Sequence, residues 1–522
     1  MKKVLLIIID ALAARIVNPA IDAGRLPHLQ QLRAAAELQG ESIAIFPSIT
    51  PAATSSLITG RYPHQHGVSG AYWYIPAQKQ VIYYGYDIWA VLEEGIDTFL
   101  KDFLVKLNEE HLQRKTLFQM VEETGHTAAS LNYLIYHGDY PHSIEIPLAL
   151  KILTATTINA QVCGPSLQYF GDLIKTPLST GETLDAPGGM FHRYGFTDQT
   201  TAALLKQLIE EDNMPDFTLA YFPGNDFRSH EVGPEAALDQ IEALDDELGQ
   251  IFATYGGLDK FLSDVVIVLT GDHSQSDVVS DTEKAGIRLD ELLESFAVAD
   301  AGTPMEDEDD LVVCPNLRTA QIYFHSPSEV RFQEVVDCLL PDERVDQVLW
   351  SAGLLNPDQR GYHVMTAERG HLHFWPGAEG PQSAQDRFGN LWSWEGDLRA
   401  VDGTLETGDV DRITFGDYPN AFERIAGILD LEVSGHLWVT SHPGYEFCLA
   451  HTKIHPEGGS HGSLHRLDSV SPLWVAGAPE ELSLPSTLRS VDVVPLCAKF
   501  LGLPTEYTVG EGHVQQKQGH FR

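Results

Sequence analysis

Basic residues are scarce in this chain. Its 34 lysines and arginines stand against 74 aspartates and glutamates, for a formal net charge of −40 over 522 residues. Most of such a surface repels a nucleic-acid backbone or an anionic membrane, which argues against polymeric nucleic acid as a partner. Cysteine is also sparse. Cys163, Cys314, Cys338, Cys448 and Cys497 lie far apart, with no CxxC pair and an odd total. They read as buried thiols in a reducing compartment, hence a cytoplasmic protein. No apolar window has the length needed to span a bilayer. The opening MKKVLLIIIDALAAR imitates a signal peptide, but its apolar run covers only Val4 to Ile9 before Asp10 ends it. It is therefore read as a first strand. Internal repeats are also missing.

What is present is an ordinary globular composition, 43% hydrophobic and 21% charged, in a chain long enough for a large α/β domain with an insertion. Three apolar runs have the length and continuity of central parallel strands covered on both faces: Val4 to Ile9, Phe217 to Phe222, and Asp264 to Thr270. In open α/β sheets ligands sit at the carboxyl ends of such strands. Asp10 ends the first run. The second leads into PGNDFRSHEVGP, where Asp226 and His230 stand four apart and would share one face of a helical turn, as a common metal requires. The third delivers Gly271, Asp272 and His273. Any one of these residues could be a helix cap or a satisfied core group, but together at strand ends they point to a site.

The stretch FPSITPAATSSLITGRYPHQHGV, Phe46 to Val68, reads as a strand end from Ile43 to Phe46, a turn, and a helix begun by Thr50 and Pro51 and stopped by Gly60. There the Thr50 hydroxyl meets the positive end of the helix dipole, a place that favours an alkoxide and welcomes phosphate. The competing reading is that Thr50 merely caps its helix. Asn18 to Leu38 is read as a helical connector. Ala71 to Trp89, with Tyr72, Trp73, Tyr74, Tyr83, Tyr84 and Tyr86, either lines a groove or packs a core. From about Ile287 to His436 the composition changes and an α+β insertion is expected. Its His363, His371 and His373 alternate along one strand and read as structural. Near the end, EGGSHGSLHRLDSV carries His461 in a glycine-rich turn, with His455 and His465 as close rivals.

The motifs LLIIIDAL, SITPAATSSLITGRYPHQHGV, YFPGNDFRSHEVGP, TGDHSQSD and GGSHGS, in this order and spacing, resemble the alkaline phosphatase superfamily. The closest branch is the type I phosphodiesterase / nucleotide pyrophosphatase family. The resemblance covers roughly residues 1 to 280 and 440 to 510. It implies a three-layer α/β/α core with a mostly parallel sheet, interrupted by an α+β cap, so that residues 1–286 and 437–522 form the core and 287–436 the insertion. It also implies a two-metal centre. Asp226, His230 and His461 would hold one ion, and Asp10, Asp272, His273 and the Thr50 oxygen the other. The family's glycine-flanked His-Gly selects His461 over its rivals.

Two divalent ions about 3.5 to 4 Å apart can clamp the attacking and leaving oxygens of an in-line displacement. Mixed Asp and His ligands suit zinc, with manganese or iron compatible. The expected activity is cleavage of phosphodiester or pyrophosphate bonds in a small phosphorylated substrate, through a phosphothreonine at Thr50. A phosphonate hydrolase or phosphomonoesterase of the same superfamily is the alternative, and an inactive metal-binding scaffold is the reading from another class. Nucleotide-cleaving relatives place a phosphoryl-contacting Asn where this chain has Ala71. Oligomeric state is not legible in the sequence.

Overall fold

The three uninterrupted apolar runs become adjacent strands at the centre of the fold. Lys3–Ile9 lies between Phe217–Phe222 and Val265–Thr270, parallel to both. Ile9 is in register with Phe222, and Ile8 with both Tyr221 and Thr270. The three strands therefore end at one level, and whatever follows each emerges at the same edge. The computed structural model describes residues 2–84, 101–148, 151, 160–178, 180–450, 452–479 and 482–513.

Among the described residues the sheet has nine strands. From one edge they are Thr487–Arg489, Ala36–Ile43, Val470–Ala476, Val265–Thr270, Lys3–Ile9, Phe217–Phe222, Ala128–Leu131, Leu167–Phe170 and Ile174–Lys175. Only Val470–Ala476 and the edge strand Ile174–Lys175 run against the rest, so the sheet is mostly parallel. Alternate side chains of the first strand feed two cores, as strand geometry requires. Val4, Leu6 and Ile8 pack with Ala52, Leu57 and Ile58 of the helix Thr50–Thr59 and with the helix Val493–Phe500. Leu5, Ile7 and Ile9 pack on the other side with Val17, Leu205, Leu244 and Leu248. Burying each such side chain contributes about 1.5–3 kcal/mol, which is why unbroken apolar runs settle at the middle of a three-layer α/β/α core.

A second sheet of ten strands begins at Leu311–Asn316 and is almost wholly antiparallel. The helix Glu329–Leu339 packs through Phe332, Val335, Val336 and Leu339 on one of its hydrophobic clusters, and Ala421–Leu429 on another. This is the inserted α+β region. Leu437–Ser441, the point where the main sheet was expected to resume, pairs inside this second sheet with Thr319–Phe324 and Val345–Ser351. The chain therefore stays in the second sheet through Ser441.

Local expectations differ from the structure in three further places, and in a fourth the structure meets the expectation of packing. The connector Asn18 to Leu38 is two short helices, Ala14–Asp22 and Pro27–Ala34, separated at Gly24 in the left-handed region. Ala36–Ile43 then pairs as a strand, so the expected strand at Ile43 to Phe46 ends where it was to begin. The histidines His363, His371 and His373 sit on two strands of a hairpin, Tyr362–Thr366 and Gly370–Pro376. The aromatic stretch folds as a hairpin, Tyr72–Ile75 with Gln80–Tyr83, that buries Tyr72 and Tyr74 against Val312, Cys314 and Tyr323. Those rings are core, not groove. Tyr86 and Trp89 lie outside the described residues.

Candidate active site

Because the central strands end in register, their following residues converge. Asp10 and Asp272 come directly off strand ends, and Asp226 and His230 project from one helix, Gly224–Val232. His461 follows the short bridge of Gly459–Ser460 to Ser276–Asp277, which ties its loop to the loop carrying His273. Two buried groups result. Asp226, His273 and His461 have one ligand atom each within 4.8 Å of one another, and so do Asp10, Asp272 and His273. His273 Nε2 lies 3.5 Å from Asp10 Oδ1 and 3.7 Å from Asp272 Oδ2. Asp226 Oδ1 lies 3.3 Å from His230 Nε2 and 3.7 Å from His461 Nε2.

Thr50 distinguishes a cap from a functional group. It is the first residue of the helix Thr50–Thr59, followed by Pro51, and the N-cap position is Ile49 with no side-chain cap. The Thr50 hydroxyl lies 3.1 Å from His273 Nε2. A hydroxyl whose purpose was capping would accept from the first-turn N–H groups. Asp10 likewise caps nothing, since the helix Ala14–Asp22 has Ala13 at its N-cap.

The three histidines share one arrangement. Each Nδ1 faces a backbone carbonyl: His230 that of Gly459 at 2.7 Å, His461 that of Ser48 at 2.7 Å, and His273 that of Ser274 at 3.1 Å. A carbonyl can only accept, so Nδ1 carries the proton and the Nε2 lone pair is turned into the site. This is the orientation in which histidine ligates metal, its other nitrogen held by an outer hydrogen bond.

The electrostatics also call for cations. Burial, and then the facing carboxylates of Asp272 and Asp226, push Asp10 well above the usual carboxylate range. Burial raises Asp272 as well, against the pull of His273. For Asp226, burial is outweighed by the facing imidazoles, His230 first, and its carboxyl is held below its ordinary value. Burial, then His273, holds His461 well below. Asp10 Oδ1, Asp272 Oδ2 and His461 Nε2 are buried without a hydrogen-bond partner among the described residues. Three carboxylates and three imidazole lone pairs crowded together out of water fit divalent cations in donor type and in geometry.

The rival histidines do other work. His465 Nδ1 accepts from the Leu467 N–H and caps the short helix Arg466–Ser469. His455 is held by Glu446 at 3.0 Å beside the His230 ring, outside both groups. His363, His371 and His373 stack on one another and on Trp350, also outside them. Sequence reasoning missed the residues that hold the acids. Tyr221 OH donates to Asp10, Gln275 Nε2 to Asp226, and Asn225 Nδ2 to the Asp10 carbonyl at 2.9 Å. All three lie inside motifs already singled out, but only the fold shows where they point. Ala71 has Asn316 beside it, yet that amide accepts from the Ala71 N–H at 2.8 Å and donates to the Tyr72 carbonyl at 2.6 Å. It does not replace the missing phosphoryl contact.

The sequence profile of the family described as type I phosphodiesterase / nucleotide pyrophosphatase matches residues 4–464. No curated protein matches the chain by sequence. Among solved structures, murine ectonucleotide pyrophosphatase / phosphodiesterase 5 aligns with a TM-score of 0.54 at 12% identity, over 99% of each chain. The inactive variant of that murine protein, in complex with AMP, gives 0.55 at 13% identity over 97% of each chain. The human counterpart gives 0.52 at 13% identity, over 97% of this chain and 96% of its own. At these identities the likeness is one of fold.

Proposed function

The chain belongs to the type I phosphodiesterase / nucleotide pyrophosphatase family and is a metal-dependent hydrolase of that type, and from this premise we propose that Thr50 is the nucleophile of a two-metal phosphodiesterase. The observation that carries the reading is the Thr50 hydroxyl, 3.1 Å from Nε2 of His273, the imidazole shared by the two Asp/His groups. Asp226, His230 and His461 would hold one ion. Asp10, Asp272, His273 and the Thr50 oxygen would hold the other. Zinc suits this donor set best. Bound there, the two ions supply Lewis acidity that favours the Thr50 alkoxide and takes up charge on the leaving oxygen.

The protein's own part is positioning. The backbone carbonyls on the histidine Nδ1 atoms fix each ring, and Tyr221, Gln275 and Asn225 fix the acids, so little reorganisation accompanies reaction. Thr50 Oγ forms a bond to phosphorus as the ester or anhydride oxygen departs. Water then hydrolyses the phosphothreonine and restores the hydroxyl.

The substrate is a small phosphodiester or pyrophosphate. The AMP held by the murine relative supports a nucleotide. Ala71 and the committed amide of Asn316 favour a second reading, a phosphonate hydrolase that grips its phosphoryl group differently. Five free thiols support a reducing, cytoplasmic setting. Among the described residues no helix is long and apolar enough to cross a membrane. Metal analysis of the purified protein tests the proposal: two divalent ions per chain are expected, and fewer than two favours an inactive scaffold.

A further inference from the structure

The loops carrying His273 and His461 are joined by a buried ion pair, one half of which comes from the second sheet. Arg318, fully buried, directly precedes the strand Thr319–Phe324. Its Nη1 donates to the Asp468 carboxylate and to Ser276 Oγ at 2.9 Å, and its Nη2 donates to the Ser441 carbonyl at 3.0 Å. Its backbone N–H donates to the His461 carbonyl at 3.0 Å. Asp468 uses its other oxygen to accept from the Ser463 N–H at 3.0 Å and the Ser463 hydroxyl at 2.7 Å. The Asp468 carbonyl accepts from the Ser274 N–H at 2.9 Å. Through their side chains the pair holds Ser276, three residues after His273, and Ser463, two residues after His461, while their backbones hold Ser274 and the His461 carbonyl. Between the loops the two imidazoles stack at 3.9 Å, 16° from parallel.

Stability alone explains such a pair poorly. Taking two charges out of water costs several kcal/mol each, and well-packed apolar residues in the same place are often as stable or more so. A planar fork that reaches Asp468, Ser276 and Ser441 at once does what an apolar cluster cannot, which is to fix the distance between two loops. We propose that Arg318 and Asp468 are positioning residues for the metal centre, setting the spacing of His273 and His461, so that the second sheet supports the site rather than merely covering it. The inference rests on the reading that these two histidines are metal ligands.

A second buried pair provides the control. Arg489 Nη1 donates to Glu423 Oε1 at 2.8 Å, equally out of solvent, and neither residue bonds to the His273 or His461 loop. The experiment measures zinc affinity by chelator competition and thermal stability in parallel, for the full-length parent, Asp468→Asn, Ser463→Ala, Ser276→Ala and Glu423→Gln. The serine variants each remove one hydroxyl from the network and keep the interpretation open if Asp468→Asn fails to fold.

Outer hydrogen-bond partners of metal ligands typically govern 10–100-fold in affinity. The expected result is a loss of about that size for Asp468→Asn and a smaller loss for each serine variant, with Glu423→Gln losing thermal stability at unchanged zinc affinity. Zinc affinity within threefold of the parent in the folded variants overturns the inference. So does an equal loss in Glu423→Gln, which would make the effect one of general stability. If the parent itself binds fewer than two ions, the site reading fails and takes this inference with it. A parent that binds two ions beside unaffected variants sinks the inference alone.

Discussion

Replacing Thr50 by alanine separates chemistry from folding by magnitude. The substitution removes one methyl group, about 0.8 kcal/mol, and one hydrogen bond to His273, about 1 kcal/mol net. The total stays below about 2 kcal/mol, against a native stability of about 5–15 kcal/mol. The variant should therefore remain folded, with a melting temperature only a few degrees lower. Loss of the attacking oxygen should instead cost at least about a thousandfold in turnover, ~4 kcal/mol in transition-state terms. Thr50→Ser keeps the oxygen but loses the β-methyl that restricts the rotamer, so it should retain a measurable fraction of activity.

The neighbouring hydroxyls are natural controls. Thr54 Oγ1 donates to the Thr50 carbonyl at 2.6 Å, Ser55 Oγ to the Pro51 carbonyl at 2.7 Å, and Ser56 Oγ pairs with His66 at 3.0 Å. Committed to their own surroundings, none can take over the attack. The assay is steady-state hydrolysis of a nitrophenyl phosphodiester by zinc-loaded protein, with mass spectrometry of a quenched reaction to catch the phosphothreonine. Turnover by Thr50→Ala within a few-fold of the parent, at matched metal content, would refute the assignment.

The two metal positions should be separable, Asp226→Ala or His461→Ala removing one ion and Asp272→Ala the other. His273→Ala should weaken both, because His273 belongs to both groups; an ion lost on His465→Ala but kept on His461→Ala would overturn the choice between those neighbours. A diester should be preferred over a monoester, since three aspartates and an alkoxide leave two divalent ions little positive charge to spare for a dianion. Arg61 is committed to Glu506, and Arg228 to Asp239 and Glu231, so neither arginine makes up the difference. A monoester kcat/KM more than about tenfold higher, ~1.4 kcal/mol, would count against this. The fourth prediction concerns pH. Burial opposes ionisation of Glu423, but Arg489 and His513 outweigh it and hold its carboxyl at about 2, below its ordinary value of 4.5. A depressed acid contributes stability above its unfolded pKa and loses it as pH falls through the folded one, here between pH 4.5 and about 2. Glu423→Gln should destabilise the protein by about 3–5 kcal/mol at neutral pH and flatten this acid limb in denaturant titrations. An unchanged slope between those pH values would remove Glu423 from the account.

What could be read from the residues was what local physics enforces. A run such as Phe217–Phe222, apolar but for Thr218, suits a strand covered on both faces; every position is buried and its boundaries match the sequence reading. Asp226 and His230, four apart, share a helix for the same kind of reason. Where neighbours in space compete with neighbours in sequence, reading failed. The helical connector was expected to run to Leu38, yet Ala36–Ile43 is a strand because Val470–Ala476 supplies its hydrogen bonds from more than 400 positions away. The core was expected to resume near Leu437, but Leu437–Ser441 pairs in the second sheet, because a strand's own residues do not say which sheet it joins. The aromatic hairpin could as well have lined a groove, until the second sheet was seen to close over Tyr72 and Tyr74.

At the site the division is sharper. The sequence by itself determined the chemical types of the candidate ligands and that they stand at strand ends, because strand length and apolarity are local properties. Tertiary structure decided their roles. Register between parallel strands brought Asp10 and Asp272 to one level, and the bridge of Ser276–Asp277 to Gly459–Ser460 carried His461 to the group while leaving His455 and His465 out. The direction of the Thr50 hydroxyl, the carbonyls that fix each imidazole, and the Arg318–Asp468 pair depend on atoms far apart in the chain. A hydrogen bond is decided by direction and distance in space, and sequence spacing records neither once the chain has turned.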